Sequence, residues 1–125
     1  MSTELARRLT AELVGTAFLV TAVVGSGIAA VRLSPDDVGL QLLENSLITG
    51  AALIALILAL QPVSASFNPV VTLVERALGA ISSRDTAYLI VAQVIGGSLG
   101  TVLANLMYDL DAINKKGKGY CTSAC

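Results

Sequence analysis

The sequence predicts an all-α membrane protein with three transmembrane helices and one re-entrant half-helix. Of its 125 residues, 54% are hydrophobic and 14% are charged, whereas a soluble domain carries about a quarter charged residues. The mean hydropathy is +0.77. The charged residues bracket three long apolar runs, each close to the roughly 20 residues that one membrane crossing needs. A shorter apolar stretch lies between the second and third runs.

The composition also excludes several classes of function. The chain contains no His and no Trp, which excludes a histidine zinc site, a histidine general base and an imidazole pH switch. Its eight Lys and Arg residues are scattered and the net charge is −1, so there is no basic stripe of the kind that binds nucleic acid. We therefore expect a protein that is not an enzyme, with no catalytic residues, no metal, no cofactor and no nucleic-acid partner.

The first two apolar runs cover about residues 9–31 and 42–60. The first run carries Glu12, is longer than the apolar core of a signal peptide and is followed by two more spans, which favours a transmembrane helix over the alternative of a cleaved signal. The segment 32–39 contains a Pro, two carboxylates and a Gly. This composition is typical of a solvated turn between adjacent helices.

The segment 61–84 predicts the half-helix, because it is too short and too polar for a full span although its centre is apolar. Asn68 is a favourable N-cap, Pro69 suits the first helical position and Gly79 is a natural stop. The helix 69–78 would be roughly 15 Å long, about half a membrane. Irregular backbone at that depth is tolerated only where it is buried in protein or lines a cavity, which indicates a pore or substrate site. The alternative is a surface amphipathic turn with an ordinary cap.

The third span covers about residues 86–107 and contains Gln93 near its middle. A carboxylate or amide within a span usually faces the bundle interior and a partner. The alternative for both Glu12 and Gln93 is an interfacial side chain that reaches water. Small residues four apart allow membrane helices to approach closely, and they predict helix packing at Gly15, which pairs with Ala11, and at Gly96 and Gly100.

Three motifs in the same order resemble the aquaporin and glycerol-facilitator family, the major intrinsic proteins. Ser-Phe-Asn-Pro-Val-Val-Thr-Leu at residues 66–73 resembles the first Asn-Pro-Ala loop of that family. Residues 11–16 and 88–97 resemble its first-helix and third-helix signatures. The resemblance covers residues 4–110, and it implies that residues 1–110 form the first of two inverted repeats, half of an aquaporin-like right-handed bundle.

The resemblance also implies roles in a pore. The Asn68 side-chain amide would donate a hydrogen bond to a single-file solute, while Pro69 and Val70 complete the loop and start the half-helix. The family's constriction takes one residue from the second helix. Spacing from Asn68 places Thr49 there, with Ile48 as the alternative.

Further implied roles and some departures concern the support of this loop. Glu12 would be a buried partner of the loop backbone, and Gln93 would support the loop from the third helix. Val70 stands where the family most often has Ala, and Ser66 stands where a His is common. If two copies paired as inverted halves, Val71 would replace the family's constriction Arg.

The expected function is passive passage of water or small neutral solutes such as glycerol, provided that a second copy or a complementary second repeat completes the pore. We expect a homo-oligomer or such a complementary repeat as the protein partner, in a lipid bilayer. The alternative is a truncated, non-conducting membrane protein or gene fragment that at most associates with full-length relatives. A third hypothesis is a small proton-coupled exporter in which Glu12 or Glu44 titrates.

Residues 111–125 resemble nothing in the family and predict a polar tail. Its three lysines, at positions 115, 116 and 118, would contact lipid headgroups; the alternatives are a disordered terminus or the product of a premature stop or frameshift. Cys121 and Cys125 are expected to be free thiols, because a local disulfide requires an oxidising side of the membrane.

The distribution of positive charge predicts the orientation of this multi-pass protein in the cell membrane. With a cytoplasmic N-terminus, four arginines lie inside, against one outside when the tail is left out; those inside are Arg7, Arg8, Arg76 and Arg84. Cytoplasmic loops normally carry the excess of Lys and Arg. With the tail the count is four against four, which would permit dual orientation.

Overall fold

The computed structural model describes residues 2–110 and is all-helical over that range. The four helices are α1 (Thr3–Leu33), α2 (Val38–Leu60), α3 (Pro69–Ala77) and α4 (Ser83–Met107). Helices α1, α2 and α4 are long and apolar enough to cross a membrane, whereas α3 has nine residues. The predicted fold class is confirmed. The predictions for the lysine cluster, Cys121 and Cys125 lie outside the described residues.

The long helices extend beyond the apolar runs that predicted them, because their first residues are set by capping. Ser2, Asp37 and Ser82 each accept a hydrogen bond from the backbone N–H three residues later, at 2.9–3.3 Å. Such a cap satisfies one of the unpaired N–H groups of the first turn. Helix α1 therefore begins at Thr3, six residues before the apolar run at 9–31.

The close contact of α1 with α4 depends on two glycines of α4. A β-carbon on Gly96 would overlap the backbone carbonyl of Leu13, and one on Gly100 would overlap that of Ala17. The Thr21 hydroxyl, 2.8 Å from the Ala17 carbonyl, also lies 3.1 Å from the Gly100 carbonyl. Both glycines thus lie directly against the backbone of α1, as small residues do where membrane helices cross closely.

Polar side chains join α1 to α2 near the 34–37 turn. The Ser26 hydroxyl donates to Asn45 Oδ1 at 2.6 Å, Gln41 donates to the Ser34 carbonyl at 2.7 Å, and the Ser34 hydroxyl donates to Glu44 Oε1 at 3.1 Å. By contrast, α2 has no buried residue. Helix α2 is therefore covered on one side only, and most of its apolar surface is open.

The register of these contacts gives the direction of each helix. Along the contact of α1 with α4, residue numbers increase in the same direction in both helices, so α1 and α4 are parallel. Along the contact of α1 with α2, residue numbers increase in opposite directions, so these two helices are antiparallel. The end of α2 and the start of α4 therefore lie on the same side as the start of α1. The segment 61–82 enters the bundle and leaves it on that side, so it is re-entrant.

Helix α3 is the returning limb of this segment. It begins at Pro69, as predicted, and ends at Ala77, one residue before the predicted end. Gly79 adopts φ 78°, the left-handed conformation that closes many helices. Its N–H donates to the Arg76 carbonyl and the Ala80 N–H donates to the Glu75 carbonyl, at 3.1 and 2.9 Å. This double contact is the Schellman arrangement that ends a helix sharply.

Candidate functional site

Glu12 of α1 is the anchor of the re-entrant segment. Its Oε1 accepts hydrogen bonds from the Ser64 hydroxyl at 2.5 Å and the Ser66 N–H at 2.8 Å. Its Oε2 accepts from the Phe67 N–H and from Gln93 Nε2, both at 2.8 Å. The residue is 0% exposed, and burying a carboxylate is costly unless its acceptors are satisfied. Four donors meet that requirement, three from the re-entrant segment and one from α4, and they tie both parts of the chain to α1.

Phe67 makes the turn that leads into α3. Its φ is 47°, a left-handed conformation that is uncommon for a bulky residue and costs of order 1–3 kcal/mol. The Phe67 N–H is held by Glu12 and its ring is buried. A β-carbon on Gly15 would overlap that ring. The structure therefore places Gly15 against the re-entrant segment, rather than against another helix as its spacing predicted, because the absence of a side chain there leaves room for the ring.

Gln93 of α4 joins α1 to α3. Its Nε2 donates to Glu12 Oε2 and to Thr72 Oγ1, both at 2.8 Å, and the Thr72 hydroxyl donates to the Asn68 carbonyl at 3.2 Å. Gln93 Oε1 is buried without a partner among residues 2–110. If the Gln93 amide were rotated by half a turn, its oxygen would face the Glu12 carboxylate, and two acceptors would meet. The two contacts made by Nε2 therefore determine the orientation of the Gln93 amide. The first turn of α3 is therefore held from the bundle interior.

Asn68, Pro69 and Val70 form the open side of the same turn. Asn68 Oδ1 accepts from the Val70 N–H at 2.9 Å, and Pro69 occupies the start of the helix. No residue in the range 2–110 accepts a hydrogen bond from Asn68 Nδ2. Asn68 is exposed and Val70 is 65% exposed. The Asn68 amide donor at the N-terminus of α3 is thus exposed at the surface of the described structure.

The structure does not bring Thr49 to this turn. Thr49 lies on α2, and α2 makes no contact with α3 within the described range. Its hydroxyl is buried and has no partner among residues 2–110, while the neighbouring Ile48 is exposed. The roles of Thr49 and Ile48 at a constriction stay predictions.

Sequence reasoning missed several residues of the site, above all Ser64, Thr72 and Glu75. The Ser66 hydroxyl donates to Glu75 Oε1 at 2.7 Å, and Glu75 Oε2 lies 3.9 Å from the Arg8 guanidinium. For Glu75, the available signal was a carboxylate seven residues after Asn68, on a short helix whose other charged residue is Arg76. The hydroxyls of Ser64 and Thr72 gave no comparable signal, because short polar residues are common near helix starts.

Comparison with known proteins places this sequence in a family. The sequence profile of the major intrinsic proteins matches residues 1–124, and the match includes most of the segment 111–125 that was predicted to be unrelated. The chain is 47% identical to the aquaglyceroporin AqpS of Rhizobium meliloti (strain 1021) over 116 residues, which are 92% of this chain and 49% of that protein.

Two further relatives are more distant. The chain is 32% identical to aquaporin NIP2-1 of Arabidopsis thaliana, covering 93% of this chain and 40% of that protein. It is 38% identical to aquaporin A of Dictyostelium discoideum, covering 78% of this chain and 34% of that protein. The chain thus spans about half the length, or less, of the curated relatives that it matches. No solved structure matches it.

Proposed function

Because the chain belongs to the major intrinsic protein family, we propose that it supplies half of a membrane channel for water or small neutral solutes such as glycerol. A second copy of the chain or a complementary second repeat completes the pore. Passage is passive and follows the gradient. The observation that carries the proposal is the exposed Asn68 amide at the start of α3, which has a capping contact for its oxygen and none for its nitrogen within residues 2–110.

The chemistry of this turn suits a neutral solute. The amide of Asn68 donates a hydrogen bond to a water or hydroxyl oxygen, while the capping contact keeps the side chain from rotating away. The N-terminus of α3 carries a partial positive charge, which disfavours cations in the same path. Val70 limits the width beside Asn68, and Thr49 or Ile48 contributes from α2.

The same proposal assigns the start of α1 to the cytoplasmic side. Arg8 lies near Glu75 of α3, and Arg76 donates to Ser83 at the start of α4. Because these arginines and Arg84 cluster on the side where α1 begins, the excess of positive charge supports a cytoplasmic N-terminus. The membrane-spanning helices contact lipid wherever no second half covers them.

The main alternative is a non-conducting membrane protein that at most associates with full-length relatives. It is favoured by α2, which buries no residue within the described structure. The exporter hypothesis is weaker for Glu12, whose carboxylate is occupied by four donors and is 0% exposed. It now depends on Glu44, whose Oε2 is buried without a partner among residues 2–110.

The deciding experiment is stopped-flow light scattering of proteoliposomes, with sucrose and then glycerol as the osmolyte. Asn68→Asp is the informative variant, because its carboxylate keeps the cap to the Val70 N–H but removes the amide donor. We expect permeability above that of empty vesicles for the unaltered chain, a loss in Asn68→Asp, and no loss in the control Asn105→Asp near the end of α4. Traces equal to those of empty vesicles, from protein shown to be inserted, would favour the non-conducting alternative.

A further inference from the structure

Ser66 is held by two carboxylates that come from different helices. Its N–H donates to Glu12 Oε1 at 2.8 Å, and its hydroxyl donates to Glu75 Oε1 at 2.7 Å. Glu12 belongs to α1 and Glu75 to α3. Ser66 is also the residue directly before Phe67, where the chain adopts its left-handed turn. The backbone is therefore fixed from two directions at the point where its path changes.

The contact between Ser66 and Glu75 closes the re-entrant segment across its two limbs. Ser66 lies on the limb that leads to Asn68, and Glu75 lies on the helix that returns from it. Hydrogen bonds to an ionised acceptor are shorter and stronger than those between neutral groups. A single contact thus joins residues nine positions apart on either side of Asn68 and Pro69.

Arg8 of α1 holds the other side of the Glu75 carboxylate. The Arg8 guanidinium lies 3.9 Å from Glu75 Oε2, and the two side chains are 25% and 33% exposed. The pair formed by Arg7 and Glu4 is a natural comparison, since its side chains are 62% and 65% exposed. Water and salt screen such an open pair strongly. The pair formed by Arg8 and Glu75 is partly buried and is therefore screened less. It can thus help to keep the Glu75 carboxylate oriented towards Ser66.

We propose that Glu75 is a positioning residue for solute passage: through Ser66 it fixes the backbone that leads into Asn68, and Arg8 keeps its carboxylate in place. The inference rests on the proposed channel function, and Glu75 itself does not touch the solute. Without the contact, Ser66 keeps only its N–H bond to Glu12. The turn at Phe67 then relaxes and the direction of the Asn68 amide becomes less defined.

The first test is the ratio of glycerol to water permeability in proteoliposomes, which does not depend on how many channels are active. Ser66→Ala removes the hydroxyl but keeps the backbone bond, and Glu75→Ala removes the acceptor. Both change the ratio, whereas Ser66→Thr, which restores a hydroxyl, and Glu4→Gln, the matched carboxylate control, leave it unchanged. A proportional fall in both permeabilities at a constant ratio would show a merely structural role and overturn the proposal.

The second test is independent of conduction. Amide hydrogen exchange of the chain in lipid nanodiscs is followed by mass spectrometry over residues 61–78. The N–H groups of Phe67 and Val70 exchange about tenfold faster in Ser66→Ala and Glu75→Ala, the change in opening that loss of a hydrogen bond to a charged acceptor produces. Ser66→Thr and Glu4→Gln exchange like the unaltered chain. Unchanged exchange in the two alanine variants would overturn the inference.

The two tests separate this inference from the proposed function. If the unaltered chain does not conduct, the channel proposal fails, and the exchange experiment still decides whether Glu75 positions the segment. If the chain conducts and the exchange rises while the permeability ratio stays constant, Glu75 stabilises the segment without acting on the solute path, and its proposed role in passage is overturned.

Discussion

Gln93 of α4 donates to the Glu12 carboxylate of α1 at 2.8 Å, and the two residues are 2% and 0% exposed. Two polar side chains within apolar spans thus contact each other between parallel helices. The second N–H of the same amide reaches Thr72 on α3. Three helices, α1, α3 and α4, therefore meet at one amide group.

Replacement of Glu12 by Gln should destabilise the fold, because the new NH₂ group would face N–H or O–H donors that now bind a carboxylate oxygen. An unsatisfied buried group costs roughly 2 kcal/mol. The loss is measured as the midpoint of unfolding in detergent, followed by far-ultraviolet circular dichroism, with Glu4→Gln as the exposed control. Passive permeability should fall as well. An exporter that uses Glu12 as its titrating group would instead lose coupled transport and keep its passive permeability.

Replacement of Thr72 by Val should leave one N–H of Gln93 without an acceptor while the side chain keeps its shape. We expect a loss of stability of about 1–3 kcal/mol, the cost of an unsatisfied buried donor. Thr101→Val is the matched control, since its exposed hydroxyl contacts only the Gly97 carbonyl of its own helix. Equal unfolding midpoints for the two variants would contradict the assigned role of Thr72.

Replacement of Gly96 or Gly100 by Ala should separate α1 from α4. Each new methyl group would overlap a backbone carbonyl of α1, that of Leu13 or that of Ala17. Backbone atoms cannot rotate away, so we expect a loss of about 1–3 kcal/mol. Gly50→Ala on α2 meets nothing within 4 Å and should be neutral or slightly stabilising, because Ala favours helices over Gly by about 1 kcal/mol. A similar loss in all three variants would argue against the close contact.

The contact of Gly15 with Phe67 can be tested by a double-mutant cycle. Gly15→Ala should be destabilising because the methyl group would overlap the Phe67 ring. Phe67→Leu removes ring atoms at the point of overlap, so the double variant should be more stable than the sum of the single effects predicts, by about 0.5–3 kcal/mol. Additive effects on the unfolding midpoint would mean that the two residues do not touch.

The helices and the half-helix were predictable from the sequence because their signals are local. Apolar runs of spanning length predicted α1, α2 and α4, and Asn68-Pro69 together with Gly79 predicted where α3 begins and ends. A carboxylate within a span also predicted that Glu12 needs partners. In each case the physical cause lies within a few residues of the feature.

The resemblance implied that Glu12 contacts the loop backbone and that Gln93 supports the loop, but the individual donors were not predictable from local sequence, because they depend on how distant segments pack. The donors to Glu12 lie 52 to 81 residues further along. The left-handed turn at Phe67 requires both the Glu12 bond and the space at Gly15, and the sequence around residue 67 indicates neither. Glu75 carries an evident charge, but only the folded segment shows that it faces Ser66. The roles of Asn68, Val70 and Thr49 in a solute path stay predictions.

The wide sequence separation of the contacts to Glu12 has a consequence for biosynthesis. Glu12 enters the bilayer with α1, ahead of Ser64, Ser66 and Phe67 on the re-entrant segment and ahead of Gln93 on α4. At about 5–20 residues per second, the carboxylate waits on the order of ten seconds for its last donor. The set of four donors around Glu12 is therefore complete only once α4 has been inserted. Any membrane factor that shelters a newly inserted polar side chain would act during this interval, before α4 arrives.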